Sequence, residues 1–120
     1  MEQINTIVYA DISTPYPAAE VTAKQGDAGS RTLEIRLTQA GRPYTIGSGV
    51  SARIYIRKPD KNIVYNNAII TNATLGYVTI ELTSQALAAA GRAQCEIMLY
   101  AGQDLLTSIP FVLRILPQVH

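Results

Sequence analysis

The stretch RTLEIRLTQAGRPYTIGSGVSARIYIRKP, residues 31–59, holds two alternating patterns separated by turn chemistry. Leu33, Ile35 and Leu37 fall on one side of an extended chain, with Glu34, Arg36 and Thr38 on the other. The pattern returns as Val50, Ala52, Ile54 and Ile56 against Ser51, Arg53, Tyr55 and Arg57. Period-two alternation predicts strands with one face in a core and one in water, as antiparallel sheets commonly have. The Gly and Pro residues at 40–44 and the Gly47-Ser48-Gly49 tripeptide supply the reversals between them.

The flanking segments repeat this grammar. Residues 4–12 read as a first extended segment, followed by Ser13-Thr14-Pro15-Tyr16-Pro17, where two prolines remove backbone donors and define a connecting arm. Residues 20–24 alternate briefly, and 25–30 form a turn-rich loop around Asp27. Lys58-Pro59-Asp60-Lys61-Asn62 places Pro at the position of a type I turn that needs a fixed φ, so Ile63–Tyr65 should pair back on the 50–57 strand. Asn66-Asn67 and Asn72–Gly76 are read as two more turns around Ala68-Ile69-Ile70. Tyr77–Leu82, Ala93–Tyr100 and Thr107–Leu116 complete the strands, with Pro110 marking an edge or a bulge. Thr83–Gly91 is the one helical stretch, about two turns long, with hydroxyl caps, alanines and a terminal glycine. Seven or more short strands without βαβ alternation predict an all-β, immunoglobulin-like antiparallel β-sandwich with one short helix between strands.

At 120 residues the chain fits one domain, able to withdraw roughly two-thirds of its unfolded surface from water. Residues 1–24, the first strand and the Pro-containing arm, belong to the same domain as the sandwich proper at 25–120. Ten Lys and Arg offset nine Asp and Glu, and the basic residues are scattered, which argues against nucleic acid as the partner. The nearest approach to a basic run, Arg57-Lys58 with Lys61, reads as a solvated hairpin. A single cysteine excludes an intrachain disulfide framework. The N-terminal residues lack the basic and apolar regions of a secretory signal, and no apolar run approaches the ~20 residues of a membrane-spanning helix. The expectation is cytoplasmic synthesis without membrane insertion, compatible with release by lysis as for virion proteins.

No catalytic set assembles. Cys95 alternates within a strand, and the only histidine is the terminal His120, so a Cys/His nucleophilic pair lacks its base and Cys95 reads as a core thiol. Gly47-Ser48-Gly49 precedes a strand, whereas an anion cradle requires a helix N-terminus. Asp11, Asp27, Asp60 and Asp104 sit in apparent loops without the dense Asp-x-Asp spacing of a calcium site, so turn chemistry accounts for them. Neither a metal nor a cofactor is expected. Seven tyrosines against one phenylalanine suggest surface aromatic contacts: Tyr55 and Tyr77 fall on polar faces, where they serve a protein partner or, as the alternative, a carbohydrate-binding platform.

Four segments carry a family resemblance: QGDAGSRTLEIRL at 25–37, GRPY at 41–44, VSARIYIRKPD at 50–60 and LTSQALAAAGRAQCEI at 82–97. In order and spacing they resemble the N-terminal domain of phage baseplate upper proteins, from siphophages of Gram-positive bacteria. The likeness spans residues 25 to 116. It implies a non-enzymatic attachment domain in the tail baseplate of the virion, joining the baseplate core to receptor-binding proteins that adhere to the host. It also implies self-association, commonly as trimers. Such proteins often continue into a stalk and adhesion modules, while this sequence stops at Pro117-Gln118-Val119-His120, as an N-terminal fragment or a minimal member would. The expected contact residues are Pro15, Tyr16 and Pro17 in the arm, with Asp27 and Pro59 in the loops.

Overall fold

A computed structural model describes residues 4–13, 20–25, 31–83 and 85–117. Among them run nine strands: β1 (Ile4–Asp11), β2 (Glu20–Lys24), β3 (Arg31–Gln39), β4 (Arg42–Pro43), β5 (Val50–Arg57), β6 (Ile63–Asn72), β7 (Tyr77–Glu81), β8 (Gly91–Ala101) and β9 (Asp104–Leu116). Eight are hydrogen-bonded in the order β1-β3-β7-β6-β5-β8-β9-β2, and β4 adds to β3. The sheet doubles over at β6. Its first half pairs with β5 up to Ala68↔Ala52, and its second half pairs with β7 from Ile69↔Thr79. One layer therefore holds β1, β3, β4 and β7, the other β5, β8, β9 and β2, with β6 shared.

The two patterns of residues 31–57 behave as the alternation requires. Leu33, Ile35 and Leu37 are fully buried in one layer, and Ala52, Ile54 and Ile56 in the other. Val78, Ile80, Cys95, Ile97, Leu99, Phe111, Leu113 and Ile115 complete a single core between the layers. Each fully buried Leu or Ile side chain contributes roughly 1.5–3 kcal/mol of transfer free energy. The all-β sandwich is as expected, and β1 and β2 add a feature the pattern did not contain: both join in parallel, β1 on β3 and β2 on β9.

Three local readings change. Asn66-Asn67 is not a turn: β6 runs straight through it, with Asn66 opposite Ile54 and Asn67 opposite Arg53. The polar pair lies just before the strand leaves one layer for the other, so exposed asparagines accompany the crossover without ending the strand. Thr83–Gly91 is not a two-turn helix: its described residues make a single turn, and no α-helix occurs among the described residues. Thr83 accepts the Leu87 N–H at its carbonyl (3.1 Å) and the Ala86 N–H at Oγ1 (3.2 Å), while Ala86 and Leu87 are buried. So short a segment gains too few helical bonds to offset nucleation, and its conformation follows the buried side chains. Among the described residues Pro110 does sit where β9 has no second neighbour, since β2 covers Val112–Leu116; the register shift falls elsewhere, between Leu99 and Tyr100.

The Asn72–Gly76 turn docks against the 37–46 connection. Leu75 N–H donates to Asn72 Oδ1 (3.1 Å), Leu37 N–H to the Gly76 carbonyl (2.9 Å) and Ile46 N–H to the Ala73 carbonyl (2.7 Å). Gly76 has φ +77°, and a Cβ there would lie 2.3 Å from the Tyr44 carbonyl oxygen and 3.0 Å from that of Leu37. The Leu37 carbonyl cannot withdraw without breaking its bond from the Tyr44 N–H (3.0 Å). Gly76→Ala should therefore lower unfolding free energy by at least ~2 kcal/mol in urea denaturation. Gly102→Ala, also at positive φ but facing open space, should cost only ~1 kcal/mol. Equal losses at both positions would contradict the clash.

Candidate interaction surface

Alternation sends polar and aromatic side chains to the two outer faces, and cross-strand register decides which meet. On the β1–β3–β7 face, Tyr9 opposes Arg36 and Arg36 opposes Tyr77. The Arg36 guanidinium lies 4.4 Å from the Tyr77 ring centroid and 5.8 Å from that of Tyr9, and its Nη1 donates to Tyr9 Oη (3.1 Å). Its Nε and Nη2 reach Glu34 Oε2 at 2.9 and 2.8 Å. This cation is neutralised within its own face, and the Tyr9 hydroxyl and the Glu34 carboxylate hold its pKa above the usual arginine value.

The β5–β8–β9 face is different. Arg53 stands between Tyr65 and Tyr100, 5.7 and 5.2 Å from their centroids, and donates from Nη1 to Tyr65 Oη (3.1 Å). That contact holds the Tyr65 phenol below its ordinary pKa, while the neighbouring Tyr65 pushes Tyr100 up. Beyond this cluster a shallow trough of about 470 Å³ crosses the strands, lined by Tyr55, Arg57, Arg92, Glu96, Pro110 and Val112 among others. Two further depressions adjoin it at Arg92, one reaching Arg114 and the other Lys61. Aromatic residues and arginine over an apolar floor are the composition enriched where proteins bind proteins.

Of the contact residues read from sequence, Pro15, Tyr16, Pro17 and Asp27 lie outside the described residues. Pro59 occupies the second position of the Lys58–Lys61 turn, closed by Lys61 N–H to the Lys58 carbonyl (2.9 Å). Asp60 Oδ1 accepts the Asn62 N–H (3.0 Å), an Asx contact that lowers the Asp60 pKa. The turn leans on the 83–91 segment through Lys58, whose buried Nζ donates to the Gln85 carbonyl (3.0 Å), and through Pro59 against Gly91. Cys95 is buried, and desolvation pushes its thiol up to about 12, which leaves it protonated and unreactive at neutral pH. Sequence reading missed Arg53, Tyr65, Arg92, Arg114 and Tyr100 as one surface. All five alternate outward in their strands, but nothing short of the strand order says that they share a face.

The fold is similar to a solved structure, the N-terminal domain of phage TP901-1 ORF48, at TM-score 0.77 and 13% identity, covering 94% of this chain and 98% of that one. No curated protein matches the sequence. The sequence matches the BppU N-terminal domain over residues 4–118, nearly its whole length, and the chain belongs to that family. It is a component of a phage baseplate.

The tyrosine–arginine cluster generates a spectroscopic prediction. As pH rises, Tyr65 should be the first of the Tyr65/Tyr100 pair to ionise, because its phenolate gains the Arg53 charge. Tyr65→Phe should remove the earliest phase of phenolate absorbance, and Arg53→Ala should move that phase to higher pH. An unchanged titration in Arg53→Ala would contradict the pairing.

Proposed function

We propose that this domain is a non-enzymatic attachment module of the tail baseplate, linking the baseplate core to receptor-binding proteins through protein–protein contacts. Membership of the BppU N-terminal domain family over residues 4–118 carries this reading. The mechanism is interface geometry: a rigid two-layer core presents sheet faces and loop ends to neighbouring subunits. The contacts assigned to it are the arm at Pro15, Tyr16 and Pro17, where proline limits the entropy lost on ordering, and the loops around Asp27 and Pro59. Self-association as a trimer belongs to the same proposal.

The carbohydrate reading finds less support. A sugar platform needs open aromatic faces, and the Tyr77 ring is stacked by Arg36 at 4.4 Å. Tyr55 is half-buried in the trough beside charged neighbours that suit a protein segment.

The test uses phage particles in which the gene is supplied either as wild type or as Tyr16→Ala/Pro17→Ala, labelled with immunogold against this domain. Gold should lie at the distal tail tip with wild type and be reduced with the double variant, whose thermal transition in isolation stays near wild type. Absence of label from intact, permeabilised wild-type particles would overturn the baseplate assignment. Undiminished label with the variant would remove the arm from the interface.

A further inference from the structure

The chain carries a net charge of only +1, yet four of its ten Lys and Arg residues gather at one end of the β5–β8–β9 face. Arg92 on β8 lies directly opposite Arg114 on β9. Arg57 on β5 opposes Gln94, which puts it diagonal to Arg92 on the same face. Lys61 joins Arg57 and Arg92 around one depression. Like charges placed directly across a pair of strands are destabilising. Among the described residues none of these four side chains has an ion pair or hydrogen bond, in contrast to Arg36 and Arg53. Glu20 and Glu96 border the cluster without engaging it, and Glu96 accepts instead from Ser108 Oγ (3.1 Å).

We propose that Arg57, Arg92 and Arg114 dock an extended acidic segment of a partner protein across the β5–β8–β9 trough. Each guanidinium offers a planar fork of donors that matches a carboxylate in two parallel bonds. Opposed and diagonal positions on a sheet lie about 5 and 7–8 Å apart, and alternate residues of an extended chain place their carboxylates about 6.6 Å apart. An Asp or Glu at every second position would therefore meet successive arginines. The Pro110 and Val112 side of the trough takes the intervening apolar atoms, which a bare phosphate chain does not supply. The cross-strand repulsion of the free domain is relieved when the partner's carboxylates arrive, so the patch binds at the expense of the free domain's own stability.

This rests on the reading that the domain works by protein contact, and its test needs no particle. The isolated chain, residues 1–120, is titrated against a fluorescent (Thr-Glu)4 peptide, with (Thr-Gln)4 and an eight-residue oligothymidylate as comparisons. Binding to (Thr-Glu)4 alone is expected, weakening with salt. Arg92→Glu/Arg114→Glu should reduce it at least ~10-fold, whereas Arg42→Glu on β4 should leave it within about 2-fold of wild type. Retention of the wild-type far-ultraviolet circular dichroism establishes that the double variant is folded. Arg92→Gln provides a milder substitution, expected to weaken binding while raising Tm by about 1–5 °C. Failure to bind (Thr-Glu)4, equal binding of oligothymidylate, or a fall in Tm with Arg92→Gln would each overturn the proposal. None of these results bears on where gold lies on the particle, so the docking site and the baseplate assignment stand or fall separately.

Discussion

Strand β6 belongs to both layers, and the rest of the fold depends on that. Its backbone hydrogen bonds end with β5 at Ala68 and begin with β7 at Ile69. The layers are thus joined by one continuous strand in addition to the core. Ala52 and Ala68 face each other at the handover, where small side chains leave room for the chain to bend. With β6 fixed in both layers, the inward faces of β3 and β7 lie over those of β5 and β8, and their apolar alternation closes on itself. The Asn72–Gly76 turn holds the far end of β6 by bonds to Leu37 and Ile46. Gly76 is required there because backbone oxygens occupy the space a side chain would need.

A core so uniformly apolar leaves chemistry to the outer faces, and the two differ in how their charges are satisfied. On β1–β3–β7, Arg36 is held by Glu34, Tyr9 and Tyr77, so its charge is met within the face. On β5–β8–β9, Arg53 is stacked between tyrosines, but Arg57, Arg92 and Arg114 converge with no counter-charge engaged among the described residues. Exposed ion pairs contribute little to stability, so this asymmetry concerns recognition more than folding. Its value lies in the unpaired side, where a partner's carboxylates gain contacts that the free domain does not make. The adjoining turn at Pro59 is tied to the sandwich by Lys58, whose ammonium bonds to the Gln85 carbonyl, and so presents a rigid border to that face.

The alternation of residues 31–57 was legible because period-two patterning reports directly on which side chains are inside. The turn at Pro59 and the buried thiol of Cys95 were legible because each is governed by its own local chemistry. Asn66-Asn67 was misread because turn-forming residues also suit an exposed strand crossing between layers. Thr83–Gly91 carried caps and alanines fit for a helix, yet burial of Ala86 and Leu87 reduced it to one turn. The parallel pairings of β1 and β2 depend on partners remote in sequence, which no local pattern encodes. The arginine patch escaped for the same reason. Arg57 looked like part of a solvated hairpin, and only the strand order brings Arg92 and Arg114 beside it.

The family of the chain and the charges left unpaired on one sheet support the proposal that the domain acts by being held between other proteins. Cryo-electron microscopy of the tail tip of particles containing this protein tests that account most directly. The account predicts that the β5–β8–β9 face is covered by a neighbouring protein, with acidic side chains on Arg57, Arg92 and Arg114, while the β1–β3–β7 face around Arg36 is less engaged. A tail tip in which the β5–β8–β9 face is open to solvent, and the domain is held elsewhere, would contradict it.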